Sequence, residues 1–312
     1  MIISSSVTKD IGRILFWYPL RWMVLALPYS SLMYIAGFLG SFDYLFLQKD
    51  RLRRVGRAVQ GAIGCRNSEA NKIVKQNLIH HYANTLELIR YPGMDCQFLR
   101  RIIVCENRER LDTALERGSG VILMTAHFGA KQLLQIFLGR EGYAINQINH
   151  HVAGTALTFV QQHVSQRLRK KIESRLPITF IEATSFQRKT LECLINNEIL
   201  IVAGDGSGIE ELVDASYKPY SFLGQNMLFP TGAGMLSART GATIIPVFVI
   251  REGTGHRVIF EEPIQPQKSS LETDPIKRYC QELEKKVRSY PHLWDFWEEF
   301  EDGFLCVTES TA

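Results

Sequence analysis

The chain has 312 residues, of which 46% are hydrophobic and 22% are charged, and its formal net charge is only +4. This composition supports one large α/β domain, or such a domain with an appendage, and it excludes an intrinsically disordered chain. No internal repeat is apparent, which excludes a solenoid, and the mild charge indicates no nucleic-acid partner.

The most hydrophobic segment lies near the amino terminus. Residues 22–40 are a stretch of 19 residues without a charged side chain, about the length that crosses the hydrocarbon layer of a membrane. Pro28 would kink a helix here, so a single span and a kinked, hairpin-like insertion both remain open. A buried helix of a soluble protein is the alternative. We predict that residues 1–50 form a membrane-anchoring segment that contains a hydrophobic helix.

Basic residues cluster at two places. The first cluster follows the hydrophobic segment, and by the positive-inside rule it would hold the downstream domain on the cytoplasmic side. The second could be a solvated helix face, or it could face an anionic membrane surface or an acidic carrier. The first comprises Lys49, Arg51, Arg53, Arg54 and Arg57, and the second comprises Arg167, Arg169, Lys170, Lys171 and Arg175.

We predict that residues 51–312 form one α/β domain. Residues from about 50 to 118 have a mostly helical pattern, which ends at Tyr91-Pro92-Gly93. Strands and helices then alternate, which predicts a mixed, mostly parallel sheet covered by helices. The predicted strands are 121–126, 143–148, 178–181, 199–203, 243–250 and 257–261, and the predicted helices are 155–174, 185–196, 232–239 and 274–290.

A histidine directly follows the first of these strands. Open α/β sheets bind ligands beyond the carboxyl ends of their strands, so His127 is a candidate catalytic base. Gln132 lies five residues later, where its amide can fold back toward the imidazole from the first turn of a helix. The amide groups at that helix start would favour a developing oxyanion. Gly129 and Lys131 lie between the two and are candidates for contact with the substrate.

Further candidates also lie at strand ends. Asp205 is bracketed by glycines, and Gly206 would let a ligand approach the backbone closely, although a plain Asp-Gly turn is the alternative. Asn149, directly after the predicted strand 143–148, and Thr231, a candidate cap at the start of the predicted helix 232–239, are candidates for substrate binding. Arg251 ends a strand, where its guanidinium could hold a phosphate or a carboxylate bidentately.

The pattern disfavours a metal site. His80-His81 and His150-His151 are adjacent pairs, and adjacent side chains on a helix diverge by about 100°. No acidic partner lies three or four residues away from them. The six cysteines form no Cys-x-x-Cys pair, which indicates a reduced compartment and no zinc. We expect no metal and no bound cofactor.

Several of these segments, taken in order, resemble the late lipid A biosynthesis acyltransferases, the lauroyl and myristoyl transferases of the lysophospholipid acyltransferase superfamily. The resemblance rests on the hydrophobic amino-terminal segment and on residues 116–129, 205–206, 222–224, 230–248 and 291–294. It implies a membrane-bound enzyme with a glycerolipid-acyltransferase-like fold, on the cytoplasmic face of a bacterial inner membrane. The enzyme would move a fatty acyl group from an acyl carrier protein or coenzyme A thioester to a hydroxyl of a lipid.

The resemblance also implies roles for two residues. In the family, a histidine deprotonates the acceptor hydroxyl, and an acid five residues later orients that histidine and stabilises its charge. His127 and Gln132 occupy these positions. A glutamine can accept a hydrogen bond from imidazole, but it cannot offset the charge of an imidazolium.

The chain departs from the family pattern on the acceptor side. Where family members commonly have His-Phe-Gly-Asn-Trp-Glu, this chain has His127-Phe-Gly-Ala-Lys-Gln132. The Tyr-Arg-Pro that often follows the next strand is replaced by residues 145–151, and an acidic segment, 298–302, replaces the often basic end. We therefore expect an amphiphilic acceptor other than lipid A.

Gln132 leaves several outcomes open. The chain could be a slow enzyme, or it could use another acid, for which Asp205, Glu210 and Glu211 are candidates. It could instead be a catalytically degenerate member that binds acyl chains or acyl carrier protein without transfer. A soluble hydrolase is a further alternative, against which the absence of a Gly-x-Ser-x-Gly nucleophile elbow counts.

Overall fold

The computed structural model describes residues 2–46, 49–149, 158–182, 186–206, 213–266, 274–302 and 306. Its α-helices are α1 (Ile2–Leu15), α2 (Arg21–Ala26), α3 (Ser31–Phe46), α4 (Lys49–Ile63), α5 (Asn67–Arg90), α6 (Cys96–Ile102), α7 (Glu109–Leu115), α8 (Lys131–Arg140), α9 (Arg167–Glu173), α10 (Phe186–Ile195), α11 (Gly232–Thr240), α12 (Pro275–Ser289) and α13 (Trp297–Asp302). Its strands are β1 (Ile103–Glu106), β2 (Val121–Thr125), β3 (Ile145–Asn149), β4 (Thr179–Glu182), β5 (Ile199–Ala203), β6 (Tyr217–Phe222), β7 (Gln225–Pro230), β8 (Thr243–Glu252) and β9 (Gly255–Phe260).

Seven strands form one sheet, in the order β1-β9-β8-β2-β5-β3-β4. The five strands from β8 to β4 run parallel to one another, whereas β9 is antiparallel to β8 and β1 is parallel to β9. β6 and β7 form a separate antiparallel hairpin. The predicted α/β fold with a mixed, mostly parallel sheet covered by helices is confirmed.

The central strand explains why the sheet is covered on both faces. All five residues of β2 are buried, and they alternate between two hydrophobic layers. Val121 and Leu123 point toward the layer that contains α8, whereas Ile122 and Met124 point toward the layer that contains α12. A parallel strand buried on both faces needs such a continuous apolar run. The sequence pattern predicts this strand correctly for that reason.

The structure corrects the sequence prediction at two places. The pattern over 50–118 predicts mostly helix, but Ile103–Glu106 is a strand at the edge of the sheet. The β6–β7 hairpin is also unpredicted. Its turn consists of Leu223 and Gly224, both with positive φ, and leucine is not among the residues that usually mark such a turn. Residues 155–157 of the predicted helix 155–174 lie outside the described residues, and a π-helical stretch, Gln161–Gln166, interrupts that helix before α9.

A single continuous helix over residues 22–40, one of the two membrane arrangements that the sequence leaves open, is not formed. The chain breaks between α2 and α3, because Pro28 forces an extended conformation on Leu27 (φ −82°, ψ 156°) and has no N–H to donate. Arg90 stabilises the break by donating hydrogen bonds to the carbonyl groups of Val24 and Leu27, at 3.0 and 2.6 Å. Within the described ranges, no helix is both long and apolar enough to cross a membrane.

A buried ion pair ties these amino-terminal helices to the sheet. Glu87 of α5 receives two hydrogen bonds from the Arg251 guanidinium of β8, at 2.6 and 2.8 Å, and a third from the Tyr29 hydroxyl in the α2–α3 break, at 2.6 Å. Both partners of the ion pair are almost fully buried. Burial alone would raise the pKa of Glu87, but Arg251 and His256 hold this pKa well below its usual range.

We predict that Glu87→Gln lowers the free energy of unfolding by about 3–5 kcal/mol, because it leaves the Arg251 charge buried and uncompensated. Chemical denaturation at neutral pH measures this. Since the folded-state pKa of Glu87 is lowered, its contribution is fully present above the unfolded-state pKa, about 4.3, and disappears as the pH falls through the folded value. The difference from wild type should therefore shrink in acid.

The control is Glu284→Gln, which removes a partly exposed ion pair with Arg288 on α12. Such a pair contributes at most about 1 kcal/mol. Equal losses in the two variants would show that burial does not set the strength of the Glu87 pair.

Candidate active site

Two neighbouring strands bring a histidine and an aspartate together. β2 and β5 are parallel, and Thr125 at the end of one is in register with Ala203 at the end of the other. His127 and Asp205 each follow two residues later, so the two side chains leave the same edge of the sheet at the same level. About 78 residues of sequence separate them, and only the adjacency of the strands closes this gap.

The carboxylate of Asp205 holds His127 by two hydrogen bonds. Its Oδ1 lies 2.9 Å from the imidazole Nδ1, and its Oδ2 accepts from the backbone N–H of His127 at 2.8 Å. The Trp294 indole donates to the same Oδ2 at 3.2 Å. Because an ionised carboxylate only accepts, the neutral imidazole carries its proton on Nδ1. Its Nε2 is thereby left as the basic atom, on a side chain that is 23% exposed.

The charges around Asp205 keep it ionised. The side chain is fully buried, and burial alone would raise its pKa, but the adjacent His127 and the Lys131 ammonium hold the pKa of Asp205 below its usual value. Desolvation lowers the pKa of Lys131, and the negative charges of Asp205 and Asp295 oppose this effect. The site therefore combines a buried anion, an imidazole and a poorly solvated cation.

The backbone turn after His127 requires glycine at position 129. Gly129 has φ +60°, and a Cβ atom there would lie 1.6 Å from the carbonyl oxygen of Val249. Its N–H donates to Leu293 at 2.8 Å, and its carbonyl accepts from the Asn84 amide at 3.1 Å. Gly129 therefore positions the turn and presents no surface to a substrate, although the sequence suggests it as a substrate contact.

The carboxy-terminal segment closes over the histidine. The N–H of Asp295 donates to the carbonyl of His127 at 2.7 Å, and the Phe296 ring stacks on the imidazole with 4.0 Å between centroids and an interplanar angle of 17°. The Asn77 amide of α5 donates to the carbonyl groups of His292 and Trp294, which fixes this segment. Sequence reasoning assigns no role to Trp294 or Phe296, because no spacing links them to His127.

The acidic carboxy-terminal segment forms an ion pair with a basic helix of the same chain. Glu298 in α13 forms an ion pair with Arg54 in α4, at 3.1 Å. Arg54 belongs to the basic cluster that follows the hydrophobic segment. The acidic end is therefore matched to a basic helix of the same chain.

Gln132 does not orient the imidazole. It lies in the first turn of α8, half-buried, and Nδ1 of His127 pairs with Asp205 instead. Ala130, before the helix, provides no side-chain cap. Within the described ranges, no acceptor receives the N–H groups of Lys131 or Gln132. These N–H groups, at the positive end of the helix dipole, are available to an anionic group beside His127.

The other predicted site residues fall in different places. Gly206 is buried beside Asp205 and close to the Tyr217 ring. The Thr231 hydroxyl donates to the carbonyl of Ser216 at 2.7 Å, which ties α11 to the chain before β6. Asn149 is the last residue of β3, but its side chain lies outside the described part, as do His150, His151, Glu210 and Glu211.

Arg251 is a correction to the sequence prediction. Its guanidinium does hold a carboxylate bidentately, but that carboxylate is Glu87 of the same chain, and the arginine side chain is only 6% exposed. The same guanidinium donates to Asn84 at 2.7 Å, and Asn84 reaches Gly129. Arg251 thus supports the turn that carries His127 and is not free for a substrate.

His80 and His81 lie in different surroundings. His80 is buried and lies 3.0 Å from the Asn84 amide, whereas His81 is exposed. Among the residues that the structure describes, no group of three or more His, Cys, Asp and Glu side chains could hold a metal ion.

The sequence profile of the bacterial lipid A biosynthesis acyltransferases matches residues 7–298, nearly the whole chain. The chain belongs to this family. The family predicted from the ordered segments is therefore confirmed, and His127 lies in the family segment from which the prediction started. A comparison with curated proteins gave no significant match.

Among solved structures, the chain is similar to the 1-acyl-sn-glycerophosphate acyltransferase PlsC from Thermotoga maritima. The identity is 14%, the alignment covers 83% of this chain and 96% of the other, and the TM-score is 0.36. A similarity at this level adds nothing to the family assignment.

We predict that Gly129→Ala lowers the free energy of unfolding by about 2 kcal/mol or more, because the methyl group meets the carbonyl of Val249 as well as an unfavourable φ. Urea denaturation measures this. Gly118→Ala is the matched control, since Gly118 has φ +74° and open space around it, so only the conformational cost applies. A Gly129→Ala variant as stable as the control would contradict the described turn.

Proposed function

We propose that the chain is an acyltransferase that moves a fatty acyl group from an acyl-carrier-protein or coenzyme A thioester to a hydroxyl of a lipid or amphiphilic acceptor. The observation that carries the proposal is the pair of His127 with the buried Asp205 carboxylate at the carboxyl ends of β2 and β5. Family membership supports the reaction class. The thioester is a cosubstrate, and the residues described here need no other cofactor for the steps below.

In the first step, Nε2 of His127 accepts the proton of the acceptor hydroxyl as its oxygen attacks the thioester carbonyl. A C–O bond forms, and the carbonyl oxygen becomes an oxyanion. The imidazolium so formed is stabilised by the adjacent Asp205 carboxylate, which stays ionised. In the second step, the C–S bond breaks as the oxyanion collapses. The proton on Nε2 then passes to the departing thiolate, which leaves an ester and a thiol.

The start of α8 is suited to the oxyanion. The N–H groups of Lys131 and Gln132 lack acceptors within the described part of the chain, and the dipole of this ten-residue helix favours negative charge there. The Lys131 ammonium adds a cation close to Asp205. The negative charge of a bound anion would oppose the effect of desolvation on the pKa of this lysine, as Asp205 and Asp295 do.

The Asp205 carboxylate supports an active enzyme, even though the residue five positions after His127 is a glutamine. A glutamine five residues after the histidine lacks the charge that the family acid provides, but Asp205 lies at hydrogen-bond distance from Nδ1 and provides that charge. This favours an active enzyme over a catalytically degenerate member. The neutral Gln132 and the cationic Lys131 also change the charge next to His127, which supports an acceptor other than lipid A.

We also propose that the amino-terminal helices attach the protein to the cytoplasmic face of the bacterial inner membrane. Tyr34, Phe38, Phe42 and Phe46 recur every four residues on α3 and are 82%, 70%, 47% and 66% exposed. The rings of Phe38, Phe42 and Phe46 contact one another along the helix, and α1 and α2 expose further apolar side chains. A contiguous exposed apolar surface of this kind marks an interaction with a membrane or a partner.

We predict that His127→Ala abolishes thioester consumption by the membrane-reconstituted protein and that Asp205→Asn lowers kcat by up to about 10⁴-fold. Gln132→Ala should lower it less than about tenfold, because Gln132 does not hold the imidazole. Release of free thiol from an acyl-carrier-protein thioester, with a lipid extract as acceptor, measures all three. Circular dichroism establishes that each variant is folded.

Equal rates for wild type and His127→Ala would contradict the proposed function. If wild type transfers nothing to any lipid acceptor but still binds the acyl thioester, the chain is the degenerate binding protein instead. If Gln132→Ala lowers kcat as much as Asp205→Asn does, the glutamine is the residue that orients the imidazole.

A further inference from the structure

A groove lies between the amino-terminal helices and the basic helix α9. It has a volume of about 280 Å³ and is lined by α2, by the end of α5 with the turn that follows it, and by α9 with the residues after it. Its walls carry three cationic side chains, Arg21, Lys171 and Arg175, and its apolar lining includes Leu25, Ile89 and Ile172. A groove that is lined by both cationic and apolar side chains suits a ligand with an anionic head and a hydrocarbon tail.

Among the residues that the structure describes, no carboxylate forms an ion pair with these three cations. In the described part of the chain, neither Lys171 nor Arg175 takes part in an ion pair, and Arg21 contacts only the face of the Trp22 ring, at 5.1 Å. Arg169 of the same helix differs in this respect, because it pairs with Glu173 at 2.8 Å. Three like charges around one groove repel one another unless an anion binds between them.

The groove is continuous with the exposed apolar surface. Arg21 and Leu25 are four residues apart on α2 and line the groove, whereas Trp22 and Met23 on the same short helix are 61% and 44% exposed. α1, which precedes them, exposes Val7, Ile11, Ile14 and Leu15. A molecule in the groove would therefore lie at the edge of the surface that we propose to contact the bilayer, at the level of its headgroups.

The helix that lines the groove also carries a charge that acts on the start of α8. Arg169 is close enough for its charge to lower the pKa of Lys131, the first residue of α8. Lys171 and Arg175 follow on the same helix and its carboxyl end, within about 10 Å along the axis.

We infer that this groove binds the phosphate headgroup of an anionic bilayer phospholipid and thereby sets the orientation of the protein on the membrane. The inference builds on the proposed membrane attachment and adds its headgroup specificity. The three cations bind the phosphate, and the apolar lining receives the upper part of an acyl chain. An acidic protein would match the charges, but it would not account for the apolar lining or for the continuity with the exposed aromatic surface.

The test is co-sedimentation of the full chain with vesicles of phosphatidylcholine alone and with vesicles that contain 30% phosphatidylglycerol. The groove variant Arg21→Gln/Lys171→Gln/Arg175→Gln should bind the anionic vesicles about 10²-fold more weakly than wild type, since each cation near an anionic surface contributes about fivefold. Its weaker binding to neutral vesicles should be unchanged. The charge-conserving variant Arg21→Lys/Lys171→Arg/Arg175→Lys should bind like wild type.

The matched control is Lys72→Gln/Lys218→Gln/Arg239→Gln, which removes the same charge from α5, β6 and α11. An equal loss in this control would overturn the proposal, because net charge alone would then explain binding. Equal binding of wild type to both vesicle types would also overturn it, as would competition by millimolar inorganic phosphate, which would indicate a site for a free anion. Melting curves establish that the variants are folded.

Two further comparisons distinguish a failure of this inference from a failure of the proposed membrane attachment or acyl transfer. Phe38→Asn/Phe42→Asn should weaken binding to both vesicle types, and wild type that binds neither would overturn membrane attachment and the groove together. The assay contains no acyl donor, so a failure of acyl transfer does not affect it. If the groove variant keeps vesicle binding but loses binding to acyl carrier protein, the groove is a protein-docking surface and the inference is wrong.

Discussion

The hydrogen bonds between the Asp205 carboxylate and His127 are the interaction on which the site depends. One oxygen fixes the imidazole, and the other holds both the backbone of His127 and the Trp294 indole. A buried carboxylate is stable only when such partners surround it. The strand register, the glycine turn and the closing carboxy-terminal segment all serve to bring these partners to one point.

A second buried carboxylate, that of Glu87, connects the elements of the scaffold. Glu87 binds Arg251 and Tyr29, and Asn84 links this cluster to the carbonyl of Gly129. The amino-terminal helices, the sheet and the catalytic turn therefore share one polar network. The exposed apolar surface of α2–α3 and the imidazole are thus held in a fixed relation, which the proposed transfer to a lipid in a bilayer would require.

Local sequence signals were sufficient where a feature depends on neighbouring residues. The apolar run of β2 and the histidine that follows it predict the strand and the position of His127 correctly. The pairing of His127 with Asp205 depends on β2 and β5 being neighbours, which the chain order of the strands does not reveal because β3 and β4 intervene. Arg251 was assigned to a substrate because its true partner, Glu87, lies 164 residues away. The Leu223-Gly224 turn lacked the usual turn residues, so its hairpin was missed.

The ¹⁵N signals of the His127 imidazole test the role of Asp205 most directly. In wild type and in Gln132→Ala, the neutral ring should carry its proton on Nδ1. In wild type, the backbone N–H of His127 and the Trp294 indole both donate to Oδ2 of Asp205. In Asp205→Asn, these two donors require the amide oxygen at that place, so the amide N–H group points at Nδ1 of His127. Nδ1 must then accept a hydrogen bond, and the ring proton moves to Nε2. An unchanged tautomer in Asp205→Asn, together with a changed one in Gln132→Ala, would contradict this account and make Gln132 the orienting residue.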